Sequence, residues 1–286
     1  MLTLHSKLLH RFRMKMVTFI LGDPTAALVP PNQCVLTEDW TSLPLESKTQ
    51  VNHDTNIFTF TLPTQTSPLN LSTCACILAS TTINDELVVR PYTPISTNAK
   101  LGSFDLMVKI YPDGELSQAM DALEIGETLD FKHISFNVKT QYPFEKKKIG
   151  MIVGGTGVTP MIQALHSILG TVTDTTEVNL LYGSQTQYDI LAKEQIDEWA
   201  ANSKGRLVVH HVLSDEPSDS DWTGKRGFVD ENMIRETLPD AADLDSMIFV
   251  CGPPAMYESL CGPRTEEDVS GLLGEMGYNS DQIFKF

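Results

Sequence analysis

Hydrophobic residues alternate with polar ones through the first half of the chain. The runs NIFTFTL (56–62) and SFDLMVKIY (103–111) place apolar side chains at every second position, which is typical of half-buried strands. Turn-forming residues separate such runs, and one helical stripe fits residues 115–123. Several short strands with one short helix predict an antiparallel β-barrel over residues 33–135.

The second half has a different pattern, in which continuous apolar runs alternate with stretches of helical spacing such as PMIQALHSIL. KIGMIV (148–153) and SMIFVC (246–251) are apolar throughout, as expected of strands covered on both faces. Alternating strands and helices predict right-handed βαβ units, and therefore a Rossmann-like α/β domain with a parallel sheet over residues 149–286. We expect a linker over residues 136–148 and a final helix over EEDVSGLLGEMG (266–277).

The N-terminal segment 1–22 is basic and amphipathic. Apolar residues recur at four-residue spacing from Leu4 to Ile20, and the segment has no acid but carries four bases: Lys7, Arg11, Arg13 and Lys15. This composition is typical of a mitochondrial targeting helix or an interfacial anchor, while a solvated tail or the remnant of a longer anchor is the alternative. Its longest apolar run is too short to span a bilayer. We expect a mitochondrial location (outer membrane or intermembrane space), with the endoplasmic reticulum or the cytosol as alternatives.

Composition and charge narrow the classes of function. The 286 residues are 41 % hydrophobic and 20 % charged, which suits two ordinary domains with buried cores. The formal net charge is −16, and the residues after position 22 carry 17 bases against 37 acids, a net charge of −20. A body this acidic repels nucleic-acid phosphates and anionic lipid. We therefore expect no nucleic-acid partner, and any membrane association to be peripheral or through the basic N-terminus.

The five cysteines form no recognisable disulfide or metal-binding pattern. Cys74 and Cys76 are separated by one residue, and no cluster of histidine and cysteine lies near them in the sequence. An odd number of cysteines in a long chain indicates ordinary thiols in a reducing compartment. We therefore expect no metal site.

Two glycine-bearing turns follow predicted parallel strands. MIVGGTGVTPM (151–161) leads from a strand into a helix, where free N–H groups and the helix dipole can hold a diphosphate, although a purely structural turn explains the motif equally well. CGPPAM (251–256) ends a later strand. Ligands bind at the carboxyl edge of parallel sheets, so both turns are expected to face one crevice. The thiol of Cys251 then either points into that crevice or fills a small apolar space.

Asp189 follows the strand EVNLLYG across the turn GSQTQY. A carboxylate at this place can accept hydrogen bonds from a ribose 2′-OH and repel a 2′-phosphate. It can also cap the N-terminus of the helix over ILAKEQ, and the two roles are compatible.

Two motifs of the first half contain groups that suit a flavin. RPYTPIS (90–96) combines a guanidinium, an aromatic ring and a hydroxyl on a backbone stiffened by proline. An ordinary edge strand with prolines is the alternative. DGELS (113–117) opens the single predicted helix, where glycine, free N–H groups and Ser117 together make a plausible diphosphate clamp.

These motifs together carry a family resemblance. In this order and spacing, RPYTPIS, VKIYPDGELSQ, GGTGVTPM and CGPPAM resemble the NADH–cytochrome b5 reductase branch of the ferredoxin–NADP reductase-like flavoproteins, and GYNSDQIFKF resembles the plant- and alga-type mitochondrial form. The resemblance covers residues 33–286. It implies a six-stranded antiparallel FAD-binding barrel with one short helix, an NADH-binding α/β domain, and electron transfer from NADH through FAD to cytochrome b5. A monomer is the expected state.

The resemblance also implies roles for individual residues. Thr93 would hydrogen-bond near flavin N5 and Cys251 would lie by the nicotinamide, so these two are the expected catalytic residues. The other residues on the FAD side are Arg90, Pro91, Tyr92, Val108, Lys109, Ile110, Tyr111, Gly114, Leu116, Ser117 and Thr159. Those on the NADH side are Gly155, Thr156, Gly157, Asp189, Gly252, Pro253, Met256 and Phe286.

The chain departs from the family pattern at three places. Glu115 stands where the family usually has a basic residue that docks the acidic cytochrome. Lys132-His133-Ile134 replaces a Gly-Pro pair, and Cys74-Ala75-Cys76 replaces the Gly-Gln-His of animal members. Docking of cytochrome b5 then depends on basic patches such as the lysines at 146–148, with Glu115 working against them.

The sequence also fits two other functions. A flavin reductase module can serve another one-electron acceptor, as in the C-terminal part of nitrate reductases or in a diaphorase. A regulatory or scaffold protein could keep the fold without the cofactor, although the intact RPYT, GELS and CGPP motifs argue against it.

Overall fold

The computed structural model describes residues 33–134 and 142–286. The predicted targeting segment 1–22 and the first part of the predicted linker, 136–141, therefore lie outside the described residues. Among the helices that are described, none has the length and hydrophobicity that a membrane span requires.

Six antiparallel strands and one helix build the N-terminal domain. The strands are β1 (Thr41–Gln50), β2 (Thr55–Thr61), β3 (Ile77–Ile83), β4 (Glu86–Tyr92), β5 (Ser103–Lys109) and β6 (Thr128–His133), and helix α1 spans Glu115–Ala122. The strands predicted at 56–62 and 103–111 and the helix predicted at 115–123 are confirmed, with ends that differ by one or two residues.

The six strands form one sheet in the order β4-β3-β6-β1-β2-β5, with every neighbouring pair antiparallel. The described ladder is open between β4 and β5, so the sheet is a half-barrel rather than a closed barrel. Two hydrogen bonds still draw the edges together beyond β4. Ile95 N–H donates to Asp105 O (2.9 Å), and Asp105 N–H donates to Ser96 Oγ (2.9 Å).

Aromatic side chains from the inward-facing positions fill the half-barrel. The ring centroids of Phe60 and Phe131 lie 4.7 Å apart, and those of Phe104 and Phe131 lie 5.3 Å apart, both edge to face. All three rings are fully buried. Phe60 and Phe104 share a face because they stand directly opposite each other in the β2–β5 register, as the alternating pattern requires.

Six parallel strands alternate with helices in the C-terminal domain. The strands are β7 (Lys148–Gly154), β8 (Glu177–Ser184), β9 (Leu207–Leu213), β10 (Lys225–Arg226), β11 (Ser246–Cys251) and β12 (Ile283–Lys285). The helices are α2 (Val158–Gly170), α3 (Lys193–Asn202), α4 (Glu231–Thr237), α5 (Pro254–Leu260) and α6 (Gly271–Glu275). The order β10-β9-β8-β7-β11-β12 reverses direction between β7 and β11, which is the switch point where open α/β sheets bind ligands.

The final helix is shorter than the sequence predicts. Of the predicted helix at 266–277, only Gly271–Glu275 is helical. The preceding residues form a loop, and the carbonyl groups of Glu266 and Asp268 accept hydrogen bonds from Lys285 Nζ at 3.0 and 2.9 Å. The prediction is therefore wrong for its first part, because a lysine from β12 holds these carbonyls outside any helix.

A shared apolar core joins the two domains. Ile95 and Met107 of the half-barrel pack in the same cluster as one face of the parallel sheet. Gln163 of α2 is buried at this junction, where its Oε1 accepts from Cys74 N–H (2.7 Å) and its Nε2 donates to Pro94 O (2.6 Å). These buried contacts hold one side of the junction and leave a cavity on the other.

Candidate active site

A cavity of about 1380 Å³ lies between the half-barrel and the carboxyl edge of the parallel sheet. The ends of β4 and β5 and the start of α1 line one side, and the ends of β7, β8, β9 and β11 line the other. Every predicted site residue except Ile110 lines this cavity. Ile110 packs against the half-barrel core, and its N–H donates to Asp54 O (2.7 Å), so the structure does not bring it to the site.

The half-barrel wall presents a cation, an aromatic ring and a hydroxyl. Arg90 and Tyr92 lie at the end of β4, and Thr93 follows directly. The Arg90 side chain is 55 % exposed, and its guanidinium lies 4.0 Å from the carboxylate of Glu115. Burial raises the pKa of the Tyr92 hydroxyl to about 12, so the phenol is neutral at physiological pH.

Helix α1 begins beside this wall, after Gly114. Ser117 Oγ donates to Gly114 O (2.9 Å) and accepts from Tyr111 N–H (3.2 Å). In the described part of the chain no side chain caps this helix start, so its first N–H groups are available to an anion. Glu115 lies in the same first turn, and its carboxylate would repel that anion.

Closely packed backbone forms the part of the opposite wall that lies between β7 and β11. After β7 the chain makes a short 3₁₀ turn at Gly155–Gly157 and enters α2. Gly157 lies against the end of β11, because a Cβ added there would come within 2.1 Å of Cys251 O. Only glycine permits this approach, which brings the start of α2 against the end of β11 at the switch point of the sheet.

Cys251 ends β11 and is partly exposed on the cavity wall. Burial raises the pKa of its thiol to about 11, although a hydrogen bond with Tyr257 and the charge of Arg264 oppose this shift. The thiol is therefore neutral at pH 7, and it offers a packing surface or a weak hydrogen-bond donor rather than a nucleophile. Its position in the crevice is as predicted, whereas its contact with nicotinamide stays a prediction.

The C-terminal residue Phe286 completes the sheet wall. Its N–H donates to Val250 O (3.0 Å), and its carbonyl oxygen accepts from the Tyr257 hydroxyl (2.6 Å). Its ring lies 5.2 Å from the ring of Phe249. Backbone and ring contacts thus hold the chain end on the same wall as Cys251.

The structure contradicts one of the two roles that the sequence predicts for Asp189. It ends a short 3₁₀ turn, in which its Oδ2 accepts from the N–H (2.9 Å) and the hydroxyl (2.7 Å) of Thr186. Helix α3 begins only at Lys193, after Ala192 in the left-handed region at φ 54°. The interpretation of Asp189 as the cap of this helix is therefore wrong, and its contact with a ribose stays a prediction.

The lysines at 146–148 lie far from the cavity. Strand β7 begins at Lys148 and reaches the cavity at Gly154, so these lysines are at the opposite edge of the sheet, roughly 20 Å away at about 3.3 Å per residue. Lys147 and Lys148 are each paired with an aspartate, at 2.9 and 3.0 Å. A partner docked on these lysines would therefore sit away from the cavity, and their role in docking stays a prediction.

The sequence patterns miss many residues of the cavity wall, and three of them carry side chains suited to a nucleotide: Asp215, Phe228 and Arg264. All three side chains are exposed. Asp215 lies two residues beyond the end of β9. Because the carboxyl ends of parallel strands meet at one edge, the same rule that selects Asp189 after β8 also selects Asp215 after β9.

Models of two protein families match the two domains. The oxidoreductase FAD-binding domain matches residues 42–138, and the oxidoreductase NAD-binding domain matches residues 151–262. These ranges contain the half-barrel wall and most of the sheet wall of the cavity.

Similar proteins cover most of the chain. An NADH-cytochrome b5 reductase 2 of Yarrowia lipolytica is 40 % identical over 255 residues, which are 87 % of this chain and 86 % of that protein. An NADH-cytochrome b5 reductase-like protein of Arabidopsis thaliana is 36 % identical and covers 90 % of this chain and 79 % of its own length. The solved cytochrome b5 reductase domain of Ulva prolifera nitrate reductase has a TM-score of 0.75 at 30 % identity, over 90 % of this chain and 99 % of that chain.

Proposed function

Because the chain belongs to the NADH–cytochrome b5 reductase family, we propose that it transfers electrons from NADH through FAD to cytochrome b5. The half-barrel is its FAD-binding domain, and the parallel-sheet domain is its NAD-binding domain. The observation that carries the proposal is the single cavity in which the predicted motifs of both domains meet.

The half-barrel wall fits FAD. The exposed guanidinium of Arg90 and the uncapped start of α1 supply positive charge and N–H donors for a diphosphate. The ring of Tyr92 supplies a flat surface for the flavin. Gly114 lets the Ser117 hydroxyl fold back onto the helix start, because a Cβ there would come within 2.4 Å of Ser117 Oγ. We therefore assign Arg90, Tyr92, Thr93 and the first turn of α1 to FAD.

The sheet wall fits NADH. Within the described residues, the turn Gly155–Gly157 before α2 has no side-chain cap, so its backbone N–H groups are available as donors for the NADH diphosphate. Strand β9 lies two strands away from β7 in the sheet, so Asp215 and Phe228 are placed for the adenosine half. A carboxylate suits the ribose hydroxyls, and an exposed ring suits the adenine base. Cys251 and Phe286 line the same cavity.

FAD, when bound, accepts a hydride from NADH and releases electrons singly to the acceptor. Hydride transfer needs no protein acid or base, so the chain contributes by positioning the two ring systems and excluding water. Thr93 and Cys251 line the same cavity from the two domains, and they would contact the flavin and the nicotinamide, respectively. The neutral thiol of Cys251 adds no charge that would oppose hydride movement.

The chain that the acceptor approaches is acidic as a whole, with a formal net charge of −16. Glu115 borders the cavity on the half-barrel side, and the lysines at 146–148 lie at the far edge of the sheet. Since cytochrome b5 is itself acidic, net repulsion should slow their encounter at low salt. We expect the rate of cytochrome b5 reduction to rise as salt screens this repulsion.

Stopped-flow spectroscopy on the purified chain tests the proposal. We expect a yellow protein whose flavin absorption bleaches on anaerobic mixing with NADH, followed by reduction of added cytochrome b5. A colourless protein that does not take up FAD, or a flavin that NADH does not reduce, would contradict the proposal. Faster reduction of a nitrate-reductase haem domain than of cytochrome b5 would favour the other acceptor class.

We also propose that residues 1–22 direct the chain to mitochondria, at the outer membrane or in the intermembrane space. The support is compositional, namely the four bases, the absence of acids and the regular apolar spacing in this segment. A fluorescent protein carrying residues 1–22 should accumulate at mitochondria. The matched control replaces the four bases by glutamine and should stay diffuse: Lys7, Arg11, Arg13 and Lys15.

A further inference from the structure

A half-buried cluster of charges joins the two domains beside the cavity. Lys109 Nζ lies 2.7 Å from Asp54 Oδ2 and 3.8 Å from Asp189 Oδ1. The three side chains are 20 %, 21 % and 8 % exposed, so water screens them only in part. Lys109 and Asp189 both line the cavity.

The cluster is anchored in both domains. Lys109 ends β5 and stands opposite Thr55 of β2, directly beside Asp54 in the turn that precedes β2. Asp189 belongs to the NAD-binding domain, where Thr186 fixes its Oδ2 through two hydrogen bonds. Lys109 is therefore held by the FAD-binding domain and reaches the other domain at Asp189.

The electrostatics of the cluster favour the ionised forms. Burial by itself would lower the pKa of Lys109, but the hydrogen bond and charge of Asp54, together with the charge of Asp189, raise it above its ordinary value. Burial would likewise raise the pKa of Asp189, but the hydrogen bonds of Thr186 and the charges of Lys109 and His53 lower it. Both groups are therefore charged at neutral pH.

The two carboxylate oxygens of Asp189 have different neighbours. Oδ2 accepts the two hydrogen bonds of Thr186, and Oδ1 is buried, makes no hydrogen bond and faces Lys109 and His53 at 3.8 and 3.7 Å. Among the described residues, His53, Asp54 and Asp189 are the group close enough to hold a metal ion, yet the ammonium of Lys109 already supplies the positive charge there.

We propose that Lys109 and Asp189 are positioning residues, which form an ion pair that fixes the NAD-binding domain against the FAD-binding domain. Asp189 acts through Lys109 rather than on the ribose of the nucleotide. A neighbouring contact supports the same junction, since Asn52 Nδ2 donates to Tyr188 O (3.2 Å). The inference rests on the proposed function only in taking NADH as the electron donor.

A double-mutant cycle tests the proposal in the FAD-loaded chain. The variants are Lys109→Gln, Asp189→Asn and the double change, and the measurements are the melting temperature and the rate of flavin reduction by NADH without any acceptor. We expect each single change to slow reduction by roughly fivefold and the double change to slow it no further, because the two residues act as one pair. Melting temperatures should show the same lack of additivity. Lys109→Arg, which keeps the charge, should recover most of the rate.

The chain offers a matched control in the same domain. Lys100 and Asp105 form an ion pair at 2.5 Å with similar burial, but neither lines the cavity. Asp105→Asn should therefore leave the rate of flavin reduction unchanged.

A second readout is the preference for NADH over NADPH. In Asp189→Asn this preference should change less than about twofold.

Two results would overturn the proposal: multiplicative effects of Lys109→Gln and Asp189→Asn, or a change of about tenfold or more in nucleotide preference in Asp189→Asn. The latter would show a direct contact with the ribose. Because no acceptor is present, failure of cytochrome b5 as a partner leaves this test intact. A flavin that NADH does not reduce even in the unaltered chain would instead contradict the proposed function.

Discussion

The two walls of the cavity present their binding groups in different ways. The FAD side uses side chains, namely the exposed Arg90, the ring of Tyr92 and the folded-back hydroxyl of Ser117. The centre of the NADH side uses backbone, because Gly157 is packed directly on Cys251 O, although side chains such as Asp215 line the rest of this wall. Side chains can rotate to suit a ligand, whereas a wall of backbone is set once the sheet has formed. The sheet wall should therefore tolerate substitution less well than the half-barrel wall.

The largest expected effect is on stability, and it differs between a glycine of the sheet wall and a glycine of the half-barrel wall. In Gly157→Ala the new Cβ would meet a β11 carbonyl at 2.1 Å, and that backbone is held by its ladder with β7. We expect a loss of about 3 kcal/mol in the free energy of unfolding, or about 6–12 °C in melting temperature. In Gly114→Ala the close atom is Ser117 Oγ at 2.4 Å, which can rotate away, and we expect a loss of about 1 kcal/mol or less. Thermal denaturation followed by circular dichroism measures both losses. Equal losses of stability would show that the two walls do not differ in their tolerance of substitution.

The next effect concerns Gln163, which joins the two walls. Gln163→Leu would leave the buried N–H of Cys74 and the carbonyl of Pro94 without their partner, at a cost of about 2–3 kcal/mol in unfolding free energy. The matched control is Gln118→Leu on α1, where the exposed side chain makes a single hydrogen bond to Tyr111 O. We expect the control to lose less than about 1 kcal/mol. Chemical denaturation resolves the two, and similar losses would show that Gln163 does not hold the junction.

A smaller effect is expected for nucleotide preference, which depends on acidic side chains of the sheet wall. Asp215 is exposed on the wall, so in Asp215→Ala the ratio of kcat/KM for NADH to that for NADPH should fall about tenfold, because a carboxylate that repels a 2′-phosphate is lost. Asp189→Ala should slow the reaction with both nucleotides alike. Steady-state kinetics with the two nucleotides distinguish the residues, and a ratio that changes only in Asp189→Ala would restore the assignment drawn from the sequence.

The smallest expected effect concerns Cys251. Cys251→Ser should slow flavin reduction several-fold with FAD still bound, because the smaller hydroxyl packs less well on the wall and is more strongly hydrated. Since the thiol pKa is raised to about 11, the rate in the unaltered chain should show no titration of this group between pH 6 and 9. Cys34→Ser, in the half-barrel and away from the cavity, is the control. Stopped-flow traces identical to those of the unaltered chain would remove Cys251 from the mechanism.

Elements with a strong hydrophobic period could be predicted from the sequence, because the period follows from which face of each element is buried. The strand predicted at 103–111 and the helix predicted at 115–123 illustrate this. The first part of the helix predicted at 266–277 is wrong because the carbonyl groups of Glu266 and Asp268 bind Lys285, a residue distant in the chain. Asp189 fails as a helix cap because the chain turns through Ala192 before α3 begins.

Some features of the site could likewise be predicted from the sequence, and others could not. By itself the sequence determined the two domain types and the cofactor class, and every site residue that it predicted except Ile110 lines the cavity, because turns at the carboxyl ends of parallel strands and the RPYT motif are local features. Only the tertiary structure decided that Lys109 meets Asp189 across the junction, that Asp215 shares the wall, and that the lysines at 146–148 lie at the edge of the sheet opposite the cavity. The physical reason is that electrostatic partners and sheet edges depend on how separate elements pack, which no local pattern of residues contains.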